Sequence, residues 1–203
     1  MTDGPSRPRS RAVWIAVAVG VACVAVVAAA LVLRDRGEEA EADGPRPVLT
    51  KPREAAGYTL DRSDAARQYS RTAEKDLESQ ATDGNALVGT YEDGENTLIY
   101  VGFSFPAGSE QGDALDASPD DALTSYLASA GIEDTERFDP GPLGGSLRCG
   151  RLASGAEAQV TCAWADRGTL GSLRFALGPL ADGPADEAAQ VTVDFRAAAE
   201  PSA

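Results

Sequence analysis

The sequence predicts an α+β fold: a mostly antiparallel sheet of hairpins with helices packed on one side, preceded by a single transmembrane helix and a disordered linker. Three features of the 203 residues lead there: one uncharged run near the N-terminus, β-rich segments that flank turn sequences, and helical periodicity around them. The chain divides into a basic cytoplasmic tail (1–11), the span (12–33), an acidic, proline-rich linker (34–57), an extracytoplasmic domain (58–199) and a short C-terminal tail (200–203).

The run from Ala12 to Leu33 is 22 residues without a charge. As a helix it reaches about 33 Å, enough to cross a hydrocarbon core of about 30 Å. Arg7, Arg9 and Arg11 precede it with only Asp3 opposing, whereas an acid-rich stretch from Arg34 to Asp43 follows. Positive charge stays inside, so the N-terminus is expected in the cytoplasm and the rest beyond the cell membrane. Ala28 and Ala30 also fit a small-x-small cleavage rule. Apolar continuation through Leu31, Val32 and Leu33 favours retention as an anchor. Cys23 is followed by ten apolar residues, which does not fit a lipoprotein cysteine. From Arg34 to Gly57 the chain is rich in Glu, Pro, Arg and Gly without apolar periodicity, the composition of an extended tether.

Three helices are expected in the domain. Over 62–80, Ala65, Tyr69, Ala73 and Leu77 recur at fourfold spacing, with Arg67, Arg71 and Lys75 on a second stripe. The next has Ser118 as a cap, Pro119 in first position, Asp120 and Asp121 at the positive dipole end and Gly131 at the stop; Leu123, Tyr126, Leu127 and Ala130 form its apolar side. The last runs from Pro184 to about Ala199, although Val191, Val193 and Phe195 also alternate, so a strand remains open there.

The strands read as hairpins. Ala86–Glu92 and Thr97–Phe105 flank Asp93-Gly94-Glu95-Asn96, and opposing Glu92 to Glu95 pairs Val88 with Ile99 and Ala86 with Val101. In the second hairpin, a turn centred between Gly155 and Ala156 sets Cys149 opposite Cys162 and Leu147 opposite Trp164, with Val160 on the same face. A third strand, Leu170 to Leu177, turns Leu173, Phe175 and Leu177 to one side. Ala86, Val88, Thr97 and Leu98 recur 72 positions later as Ala158, Val160, Thr169 and Leu170, a hint of duplication.

Net charge and missing residue types exclude several functions. With 18 bases and 32 acids the chain carries −14, which disfavours nucleic acid as a partner. There is no histidine, so a Ser/His/Asp or Cys/His site and an imidazole zinc site are excluded. Cys149 and Cys162, in an exported domain, read as a structural disulfide. Between Lys75 and Arg137 lie fourteen acids and no base. They read as solvated surface and dipole partners, with calcium or a cationic partner as the rival readings; no EF-hand spacing occurs. The stretch from Arg46 to Lys75 carries seven bases, and its Arg67, Arg71 and Lys75 stripe reads as a solvated helix back or as a face toward anionic lipid or wall polymer. No phosphate-cradling glycine motif and no GxSxG elbow is present. Gly141-Pro142-Leu143-Gly144-Gly145 reads as a chain reversal. No catalytic residue, cofactor or metal ligand is assigned.

The basic tail, anchor and Pro/Glu tether, followed by Pro140-Gly141-Pro142-Leu143-Gly144-Gly145, Cys149-Gly150 and Cys162-Ala163-Trp164-Ala165-Asp166, resemble the uncharacterised single-pass membrane proteins of Streptomyces and related actinobacteria. The resemblance implies a bacterial envelope address and no particular activity. The expected function is a membrane-anchored extracytoplasmic interaction or sensing module whose partner is an unidentified envelope protein or ligand. Its alternatives are an envelope enzyme using carboxylates or a serine, and a structural envelope component.

Overall fold

The computed structural model describes residues 46–79, 81, 83–152 and 159–201. The expected tail, anchor, Cys23, residues 34–45 of the linker and the Gly155–Ala156 turn lie outside them. No helix among the described residues is long and apolar enough to cross a membrane.

Those residues form an α+β fold with one antiparallel sheet of eight strands: β1 Glu54–Ala55, β2 Tyr58–Leu60, β3 Asn85–Glu92, β4 Thr97–Ser104, β5 Ile132–Phe138, β6 Ser146–Leu152, β7 Gln159–Asp166 and β8 Thr169–Leu177. The helices are α1 Asp64–Glu78, α2 Glu110–Ala117, α3 Pro119–Ser129 and α4 Ala185–Ala199. Spatial order is β1-β2-β3-β4-β8-β7-β6-β5, so the chain leaves β4, crosses through α2 and α3 to the far edge and meanders back.

The helices cover both faces of the sheet, not one as the sequence suggests. Ala73 and Leu77 of α1, Leu115 of α2 and Leu123 and Leu127 of α3 pack with Ala86, Val88, Ile99, Phe103, Ala163 and Ala165. On the other face, Ala188, Ala189 and Phe195 of α4 pack with Tyr91, Tyr100, Leu147, Val160, Trp164, Leu173 and Phe175. Strand β7 has the signature of a strand covered on both sides: Val160 through Ala165 are all buried. The residues at 190–196 are helical, because Ala188, Ala189, Thr192, Phe195, Arg196 and Ala199 are buried at helical spacing.

The centre of the α4 face is aromatic. Gly102 pairs directly with Gly171 across β4 and β8. A Cβ at Gly171 would overlap the Trp164 indole, and one at Gly102 would overlap the Tyr100 ring. The two side chains lie in the trough so formed, stacked 6.1 Å apart with planes 3° from parallel. Phe195 of α4 packs against Tyr91 and Tyr100, with ring centres 5.0 Å from both. Each fully buried large apolar side chain contributes about 1.5–3 kcal/mol.

The second hairpin has the expected register, Leu147 opposite Trp164 and Cys149 opposite Cys162. The first is shifted by two residues, with Glu92 opposite Thr97, Val88 opposite Val101 and Ala86 opposite Phe103. Asp93 causes the shift. Its carboxylate accepts from the backbone N–H of Glu95 and Asn96 at 2.9 and 2.7 Å, which holds both residues in the loop. An even shift keeps every side chain on its expected face.

Other expectations need correcting. The α1 spine is Ala66, Ser70, Ala73 and Leu77, with Ala65 exposed. Leu177 is half exposed at the end of β8. Ser118 precedes α3 without capping it by side chain; its hydroxyl donates to Asp121 instead. The 72-residue recurrence is not a structural repeat. Val88 packs under α1–α3 and Val160 under α4, while Leu98 and Leu170 reverse that arrangement. The expected linker and C-terminal tail also contribute to the fold: β1 lies within 46–57, Leu49 is 3% exposed and Glu200 is 5% exposed.

Candidate functional site

The chain joins the fold along residues 46–52, and this segment walls two clefts. Arg46 anchors its start. The guanidinium lies where a Cβ at either Gly112 or Gly168 would intrude, pairs with Asp116, sits 3.6 Å from Asp113 and donates to the Pro106 carbonyl. Leu49 donates its N–H to the Ser104 hydroxyl at 2.9 Å. Lys51 pairs with Glu74 at 2.6 Å, and the same Glu74 oxygen accepts the Val88 N–H at 2.9 Å.

The first cleft, about 740 Å³, opens between the incoming chain, the start of β3, the end of β4 and the β7–β8 turn. Val48, Phe105 and Pro106 give it an apolar side; Asp83, Asp116 and Arg167 give it charge. The Phe105 ring lies against the backbone of Gly84, where a Cβ would collide with it, and stacks on Phe103 at 6.1 Å. Val48 is 58% exposed beside this cleft. Apolar surface beside a few charged groups is the composition of a ligand or peptide site.

The second cleft, about 390 Å³, is lined by Lys51, Leu60, Asp61, Arg62, Arg67, Ser70 and Arg71. Asp61 is occupied with the N-cap, accepting from the Ser63 N–H at 2.7 Å and its hydroxyl at 3.1 Å. Arg67 pairs with Asp64 at 2.6 Å. Arg67 and Arg71 of the basic stripe reach this cleft, and Lys75 does not line it.

Cys149 and Cys162 form the expected disulfide, with Cα atoms 4.0 Å apart. Both cysteines are buried in the α4-side core, so the bond is structural. The Gly141–Gly145 reversal supplies the Gly144 carbonyl to Arg196, which also pairs with Glu200 at 2.7 Å and Asp166 at 3.1 Å. Arg196 is 1% exposed, and its charge complements the carboxyl end of α4.

Among the described residues, two carboxyl groups are displaced from their ordinary range, and both are held low. For Asp120, hydrogen bonds from Arg148 at 2.9 and 3.0 Å outweigh burial, and Arg137 adds to them. For Asp93, burial pushes upward and is outweighed by hydrogen bonds from Asn96 and Glu95. Asp113 and Asp116, near Arg46, likewise hold structure together. Among the described residues, no three of the Cys, Asp and Glu side chains converge on a possible metal position.

Sequence patterning does not single out Phe105, Arg167, Lys51 or Arg62, whose neighbours lie far along the chain. The Arg67, Arg71 and Lys75 stripe, within the excess of bases from Arg46 to Lys75, is the sequence signal that points toward the second cleft. Compared with models of known protein families, with curated protein sequences and with solved structures, the chain matches none.

Proposed function

We propose that the protein is a membrane-anchored extracytoplasmic module that works by binding a ligand or partner. The observation that carries this reading is the 740 Å³ cleft, built where the chain enters the fold and walled by Val48, Phe105 and Arg167. A ligand seated there touches the residues that lead directly to the expected anchor. The envelope-enzyme reading has less support. Among the described residues the two displaced carboxyls, Asp93 and Asp120, are held low, and neither lines a cleft. Ser104, the serine in the cleft, accepts from Leu49 and has no histidine to activate it.

Two experiments test the reading. A reporter active only in the cytoplasm, fused after Ala203, is expected to be silent, and a signal would reverse the orientation. A photo-crosslinking residue placed at Val48 in living cells is expected to capture a discrete partner that the same residue at Leu177 does not. Identical products at both exposed positions would overturn binding at the cleft.

A further inference from the structure

We propose that the cleft between Lys51, the β2–α1 turn and the flank of α1 is an anion site for a phosphoryl group, held by Arg62 and Arg71. Four cations line it against one acid, in a chain whose net charge is −14. Their partnerships differ. Lys51 is fixed by Glu74 and Arg67 by Asp64, so these two frame the cleft. Asp61, the only acid in the lining, has both oxygens engaged by Ser63. Arg62 and Arg71 are exposed and form no ion pair within the described residues, leaving their planar donor forks for a ligand. Ser70 adds a hydroxyl to the lining.

Guanidinium forks match the oxygens of a phosphoryl group, which accepts several such bonds at once. Size and charge narrow the ligand further. A volume of 390 Å³ is at the small end of ligand sites and suits a headgroup-sized molecule, not a polymer. Charges farther away than about 10 Å are screened at about 0.1 M salt, so the acidic surface does not cancel the local field. A long polyanion would extend onto that surface and be repelled. The ligand class is therefore a small phosphate ester, either free or as a lipid headgroup.

The test is calorimetric titration of the full chain in nanodiscs with glycerol phosphate. Binding is expected in phosphatidylcholine nanodiscs and is expected to weaken at least tenfold in R62Q/R71Q. The charge-matched R53Q/K75Q variant, altered outside the cleft, is expected to keep it. No binding at millimolar ester, or equal loss in both variants, would overturn the site. Phosphatidylglycerol nanodiscs separate the sources. If they suppress the titration through Arg62 and Arg71, the phosphoryl group belongs to a lipid; if they leave it unchanged, it belongs to a free ester.

Discussion

The backbone N–H and the hydroxyl of Thr50 both donate to the carbonyl of Ala199, at 2.7 and 3.1 Å. The final carbonyls of a helix have no partner within it, and here one is satisfied by a segment 149 residues earlier. The incoming chain is thereby latched to the end of α4. Arg46, Leu49 and Lys51 fix it at three further points.

The domain boundary can be tested from this latch. A fragment beginning at residue 58 loses the buried Leu49, worth about 2 kcal/mol, and two hydrogen bonds to Ala199, worth about 1 kcal/mol each. Relative to a fragment beginning at residue 46, its urea midpoint should fall by the equivalent of about 4 kcal/mol. Equal midpoints would show that residues 46–57 are dispensable.

The disulfide closes a short loop between adjacent strands. Non-reducing peptide mapping is expected to link Cys149 to Cys162. Replacing both by serine should lower unfolding stability by about 3 kcal/mol on the chain-entropy estimate. Free thiols in the folded protein would contradict the register.

Asp120 joins the start of α3 to β5 and β6 through Arg137 and Arg148. Its carboxyl is held below its unfolded value, so the stability it supplies is present above the ordinary carboxylate range. That contribution is lost as pH falls through the folded value. Asp120→Asn should cost about 2 kcal/mol at neutral pH. The gap from wild type should shrink on acidification, as followed by chemical denaturation; a pH-independent gap would reject the ion-pair account.

Arg196 joins Glu200, Asp166 and the Gly144 carbonyl within the core. Arg196→Met strands two acids and should destabilise by about 3–5 kcal/mol. Arg196→Lys keeps the charge without the fork and is expected to fall between, in thermal and urea unfolding alike.

How much of this was legible depends on how far apart the interacting residues lie. The Cys149–Cys162 hairpin was legible because turn, cysteines and apolar face fall within a few residues of one another. Strand β5 was not, because its exposed Glu133, Asp134, Glu136 and Arg137 conceal an edge strand, and such charge is what keeps an edge from pairing with another chain. The β1–β2 hairpin turns through Ala56 and Gly57, both at positive φ, and the alanine gives no turn signal. The first cleft was not legible, since Val48 meets Phe105 and Arg167 only after folding; of the second, the Arg67 and Arg71 stripe was legible and its meeting with Lys51 was not.

The sequence by itself determined the α+β class, the antiparallel hairpins, the cysteine pair and the exclusion of histidine chemistry. Each follows from local periodicity, spacing or composition. Tertiary structure alone decided that α4 covers the second face, that β4 meets β8 in the middle of the sheet and that the supposed linker is latched to the C-terminal helix. Those outcomes come from burial and hydrogen bonding between segments far apart in the chain, whose choice of partner no short window of sequence encodes.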